Sequence, residues 1–116
     1  LAAAVPGVGV RVAKELGAEG GQVELRVCQR DSCYTYTKAL RPAEGLPEAE
    51  EVFVMPWGAD RTAVTVRVRG RDVAVLADGT LTFTPKVNYP NGKGCGGDAP
   101  YAVLAVDATG KLSRLS

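Results

Sequence analysis

Valines recur at every second position along much of this chain. Val8, Val10 and Val12 alternate with Gly9, Arg11 and Ala13; Val23, Leu25 and Val27 alternate with Gln22, Glu24 and Arg26; Val64, Val66 and Val68 alternate with Thr65, Arg67 and Arg69. Period-two spacing puts each apolar set on one face of a pleated strand and the polar set on the other. Tyr34 to Ala39, Val52 to Met55, Val73 to Ala77 and Thr80 to Thr84 read as further strands. Between the last two, Asp78-Gly79 predicts a two-residue hairpin, because a type I′ turn needs positive φ at both centres. Asp107-Ala108-Thr109-Gly110 predicts a four-residue turn with Gly110 in the left-handed position. Strands recurring about every 8–12 residues between turn signals predict an all-β antiparallel sandwich of seven to nine strands.

Three segments break this rhythm. Lys14 to Gly21 reads as a Gly-rich connection. Leu40 to Glu51 carries two prolines and four glutamates and reads as a solvated crossover, with one helical turn at Pro47-Glu48-Ala49-Glu50. Asn88 to Pro100 shows no strand signal. Residues 8–116 are expected to form a single domain, because 116 residues leave room for one core. Residues 1–7 are expected to form an N-terminal tail, with Leu1-Ala2-Ala3-Ala4 either a leader remnant or an arbitrary chain end.

Charge and residue usage narrow the function. Fourteen basic and thirteen acidic side chains leave a net charge of +1, whereas a nucleic-acid binder usually carries a basic excess, so that partner class drops. No apolar run in the chain approaches the roughly 20 residues of a transmembrane helix. The chain has no histidine, which removes Ser-His-Asp and Cys-His catalysis and imidazole-based zinc sites. Glu44, Glu48, Glu50 and Glu51 cluster without the aromatic residues that would hold a sugar between two carboxylates. Gly92-Lys93-Gly94-Cys95-Gly96-Gly97 lacks the Ser or Thr and the following helix of a phosphate loop, and reads as a turn. Neither catalysis, a cofactor nor a metal is expected.

The cysteines and aromatics carry the remaining chemistry. Cys28 and Cys33 enclose Gln29-Arg30-Asp31-Ser32 at the ends of two strand-like runs. Opposed hairpin residues have Cα atoms about 4.5–5.5 Å apart, a spacing a disulfide accepts, and a disulfide points to an oxidising compartment. Cys95 is then a free thiol, an intermolecular link, or the true partner of Cys28 or Cys33; three buried free thiols are the alternative. Tyr34 and Tyr36 share a face, as a binding platform if outward and as core if inward. Trp57 is an anchor for a partner or, more in keeping with its size, a plug at one end of the sandwich. Arg67 and Arg69, with Arg26 and the strand-end Arg61 and Arg71, form a candidate basic stripe for polyanions, against the default of a solvated sheet face.

The stretch from Asp98 through Tyr101 to Asp107, with the turn to Leu112, resembles strand F, the closing turn and strand G of an immunoglobulin-like domain. The resemblance implies that Tyr101 forms a tyrosine corner, its hydroxyl turned to an upstream backbone group. Val103 stands where the inter-sheet cysteine of that family would be, and Trp57 lies outside the strand-C run. The Cys-x4-Cys hairpin and Tyr89-Pro90-Asn91-Gly92-Lys93-Gly94-Cys95-Gly96 look like small secreted or lipoprotein Ig-like domains of high-GC bacteria. In that group a second cysteine shortly after this element often pairs locally, and here none follows Cys95. These readings converge on an extracytoplasmic, non-catalytic structural or binding module. Its partner would be an unknown protein, glycan or cell-wall component, met through the loops around Cys28–Cys33, Trp57 and Asn91–Asp98, or by strand addition at an open edge. Two rivals stand beside it: a protease inhibitor presenting Arg30-Asp31-Ser32, and a small-ligand carrier resembling the apoproteins of chromoprotein antibiotics.

Overall fold

The computed structural model describes residues 6–17, 21–40, 48–55, 57–88 and 99–115. Among them the alternating segments form nine strands: β1 (Gly7–Ala13), β2 (Gln22–Gln29), β3 (Ser32–Ala39), β4 (Glu48–Val54), β5 (Thr62–Arg69), β6 (Val75–Phe83), β7 (Lys86–Asn88), β8 (Ala99–Val106) and β9 (Leu112–Arg114). A single helical turn, α1 (Lys14–Gly17), stands in the connection after β1. The first sheet has the order β4-β1-β8-β7, with β9 also paired to β8, and the second has the order β3-β2-β5-β6. Neighbours are antiparallel except β1 and β8, which run parallel. The all-β sandwich expected from the alternation is therefore present.

The valine faces meet between the sheets. Val8, Val10 and Val12 of β1, Val23, Leu25 and Val27 of β2, Val64, Val66 and Val68 of β5, and Ala102, Leu104 and Val106 of β8 are each no more than 3% exposed. A buried Val or Leu contributes about 1.5–3 kcal/mol. An exposed ion pair such as Arg11–Glu50 contributes about 0–1 kcal/mol. Burial of the two inner faces thus dominates. The outer face of the first sheet sets apolar side chains, Val52 and Val54 exposed and Val103 and Ala105 half-buried, beside the Arg11–Glu50 pair. Among the described residues no helix is long and apolar enough to cross a membrane.

Asp78-Gly79 is not a hairpin. β6 runs straight through it, with Asp78 opposite Arg67 and Gly79 opposite Val66. The Arg67 guanidinium donates to Asp78 Oδ2 from Nε and Nη2, at 3.2 and 3.1 Å. Leu112 of the other sheet packs onto Gly79, where a Cβ would lie 3.0 Å from the leucine Cβ. Glycine is here for that close approach. The chain reverses earlier, where Gly70 N donates to Ala74 O at 2.8 Å and Val73 takes φ 62°.

The proposed helical turn at Pro47–Glu50 is likewise replaced, since β4 begins at Glu48. Pairing with β1 decides the matter, because it buries Ala49 and Phe53 and sets Glu50 opposite Arg11. Lys86–Asn88, without a strong strand signal, pairs with the start of β8. The turn at Asp107 forms as the residues predict, with Gly110 at φ 85°. Asp107 Oδ1 accepts from Thr109 N, Thr109 Oγ1 and Lys111 N at 2.9, 2.6 and 2.9 Å. The Thr109 hydroxyl is the main reason that the Asp107 carboxyl titrates below its ordinary range.

Cys28 and Cys33 face each other across the β2–β3 hairpin, with Cα atoms 4.1 Å apart, and are joined as a disulfide. The loop they close is short, so removing the bond with Cys28→Ser and Cys33→Ser is expected to cost about 2 kcal/mol. Urea unfolding of the variant beside the oxidised parent checks this. A loss twice as large would mean that the bridge does more than shorten the unfolded chain.

Candidate functional site

The site grows from the β2–β3 hairpin. Arg30 and Asp31 form a two-residue turn closed by the Gln29–Ser32 pair. Tyr34, Tyr36 and Lys38 stand opposite the core residues Val27, Leu25 and Val23, so they share the inner face of the second sheet. No strand of the first sheet fully covers them. Tyr34 remains 59% exposed, and Tyr36 is half-buried against the core.

Between these tyrosines and the end of β4 lies an open cleft of about 140 Å³, lined by Val27, Gln29, Tyr34, Tyr36, Met55 and Trp57. Trp57 is only 8% exposed, and its Nε1 donates to Pro100 O at 2.9 Å, which fixes the ring as one wall. Gln29 anchors the floor. Its Nε2 donates to Gly58 O at 2.7 Å and to Thr62 Oγ1 at 2.8 Å, and its Oε1 accepts from Gly58 N at 3.2 Å. Thr62 is 1% exposed and donates onward to Asp60 O. Met55, 2% exposed, supplies a polarizable sulfur suited to an aromatic guest.

Three residues singled out in the sequence, Trp57, Tyr34 and Tyr36, therefore meet in one place. Met55, Gln29 and Thr62 carry no local signal for this role, because Gln29 reaches across 33 positions to Thr62. Small-molecule sites usually enclose about 300–1,000 Å³. The present cleft has room for one ring or side chain, well short of a chromophore.

The outer face of the second sheet has a different character. Arg69 Nε lies 2.7 Å from Glu24 Oε1, and Arg67 lies 3.1 Å from Asp78 and 3.9 Å from Glu24. Acids thus interleave the two arginines. Arg26, exposed and opposite Thr35, has no ion pair among the described residues. It borders a polar hollow with Glu24, Thr35, Thr65 and Arg67.

Arg30 occupies its closed turn at φ 54°, with Nη2 3.2 Å from Asp60 Oδ2. It is not carried on an extended loop. Tyr101 lies on the outer face of the first sheet, its hydroxyl 3.0 Å from where a Cβ on Gly9 would be. Burial, then Glu50, pushes its phenol pKa up, against the opposing pull of Arg11. The segment before Ala99, from which a tyrosine-corner partner would come, lies outside the described residues, as do Cys95 and the Asn91–Asp98 loop.

No family model, no curated protein and no solved structure matches this chain. The cleft is consequently read from its own chemistry. It offers aromatic faces, a thioether and an amide that is already committed to the fold. Among the described residues no three acidic or cysteine side chains gather to hold a metal ion.

Proposed function

We propose that this chain is a non-catalytic, extracytoplasmic, immunoglobulin-like binding module that holds a partner through the Tyr34–Tyr36–Trp57 cleft. The observation that carries the reading is the cleft itself: an exposed Tyr34 and a half-buried Tyr36 facing a fixed, hydrogen-bonded tryptophan. Aromatic residues around a pocket of one-side-chain size are the usual anchor of a protein or glycan interface. The β8–β9 hairpin and the two-sheet architecture support the immunoglobulin-like assignment. The Cys28–Cys33 disulfide supports a compartment outside the cytoplasm.

Proton–nitrogen correlation spectra of the protein, titrated with N-acetyl-tyrosine amide and separately with N-acetylglucosamine, test the cleft. The reading expects one of these to shift the Trp57 indole and the Tyr34 and Tyr36 amides together. Silence of all three with both probes at millimolar concentration would retire it.

A further inference from the structure

The geometry points to the partner as an extended acidic polypeptide that adds to the open edge of β3. An acidic side chain would lie opposite Thr35, and a neighbouring apolar or aromatic side chain would enter the cleft. The inference rests on the cleft reading above and names its ligand class.

The hairpin register decides which backbone groups are available. The two-residue turn makes Gln29–Ser32 a hydrogen-bonded pair, and Leu40 N donates to Gly21 O at 2.9 Å at the far end. Pairs alternate along an antiparallel ladder. Ser32, Tyr34, Tyr36 and Lys38 therefore bond to β2, whereas the N–H and C=O groups of Cys33, Thr35 and Thr37 point away from it, toward the free edge. An unpaired row of this kind is a template for another strand.

Among the other edges, β4 has its Val52 carbonyl capped by Lys38 Nζ, β6 carries a register shift opposite Val68/Arg69, and β7 and β9 are only three residues long each. β3 has neither proline nor bulge over its eight residues.

A guest residue that exchanges both hydrogen bonds with Thr35 places its side chain on the outer face. Its two neighbours then point to the inner face beside Tyr34 and Tyr36, into the cleft. With strands about 4.8 Å apart, the guest lies about 10 Å from β2. A Glu or Asp there reaches Arg26 over the short Thr35; unlike Arg67 and Arg69, Arg26 is exposed and has no ion pair among the described residues. A second copy of β3, paired about Thr35, would set threonine against threonine and leave Arg26 unmatched. The observations favour the acidic strand.

The probe is a blocked peptide of sequence Thr-Thr-Tyr-Glu-Val-Thr-Thr, with a sibling carrying Lys for Glu, titrated into the whole chain. The Glu peptide is expected to bind at least ~10-fold tighter than N-acetyl-tyrosine amide, because main-chain hydrogen bonds add to the cleft contact. It should shift the amides of Cys33, Thr35 and Thr37 along with the Trp57 indole. Thr35→Pro removes an edge-facing N–H that β2 does not use, and should abolish that gain. N-methylation of the peptide at its Glu should do the same with the protein unaltered, which covers the case that the proline variant fails to fold. Arg26→Glu should weaken the Glu peptide by ~3- to 5-fold and favour the Lys sibling. A peptide that is silent, or no tighter than N-acetyl-tyrosine amide, overturns strand addition while the cleft reading stands; silence of the peptide, N-acetyl-tyrosine amide and N-acetylglucosamine alike removes both. Sedimentation showing a dimer that Thr35→Pro dissociates would assign the edge to a second copy and overturn the acidic partner.

Discussion

Trp57→Ala is expected to lower the unfolding free energy by about 3–5 kcal/mol, the range for truncating a buried aromatic. Trp57 is 8% exposed, packs in the main core cluster and loses its bond to Pro100 O in the variant. Whole domains are stable by only about 5–15 kcal/mol, so this one change threatens the fold. Trp57→Phe keeps most of the packing and removes the N–H donor. It should cost about 1–2 kcal/mol, roughly one hydrogen bond and a small cavity. Urea unfolding of both variants separates the contributions. If Trp57→Ala cost less than 1 kcal/mol, the indole would be a surface ornament and the rigid cleft wall argued above would be lost.

Gly21→Ala should cost about 2–4 kcal/mol, by a different mechanism. Gly21 has φ 128°, where L side chains are strained, and a Cβ would run into the backbone carbonyl of Arg69. The neighbouring atom is main chain of β5, which cannot step aside. Its own carbonyl also accepts from Leu40 N, which ties the end of the β2–β3 hairpin beside the buried Leu40. Gly9→Ala is the control. There the nearest atom is the Tyr101 hydroxyl, the far end of a side chain that can move. Thermal unfolding should show Gly21→Ala well below Gly9→Ala, and the reverse order would refute the account.

Much of the candidate site was legible as residues but not as a place. Tyr34 and Tyr36 stand two apart and so had to share a face, and Trp57 stood out as the single tryptophan. Whether that face was core or surface depended on how far the opposite sheet extended. It reaches β3 at Lys38 but stops short of Tyr34, leaving the inward-facing pair uncovered there. The arginines show the same dependence. Arg67 and Arg69 alternate along one strand, yet Glu24 on β2 and Asp78 on β6 stand between their charges once the strands pair.

Local chemistry also misled where a distant contact outweighed it. Asp78-Gly79 has turn-forming residues, but the close approach of Leu112 to Gly79 and the Arg67–Asp78 pair hold it straight. Glu48–Glu51 has helix-compatible residues, but β1 offers a full ladder partner and a buried seat for Ala49. In contrast, the Asp107–Gly110 turn is satisfied by its own side chains, and it formed as its residues require.

By itself, then, the order of residues determined the alternating strands β1, β2, β5 and β8, the faces they bury and the turn that supplies its own hydrogen bonds, because a two-residue period and a short polar loop are properties of neighbouring positions. Tertiary structure alone decided which strands sit side by side, which arginines gain an acid, and where the aromatic cleft opens. Those outcomes turn on contacts between residues far apart in the chain, and such contacts exist only once the two sheets have closed on each other.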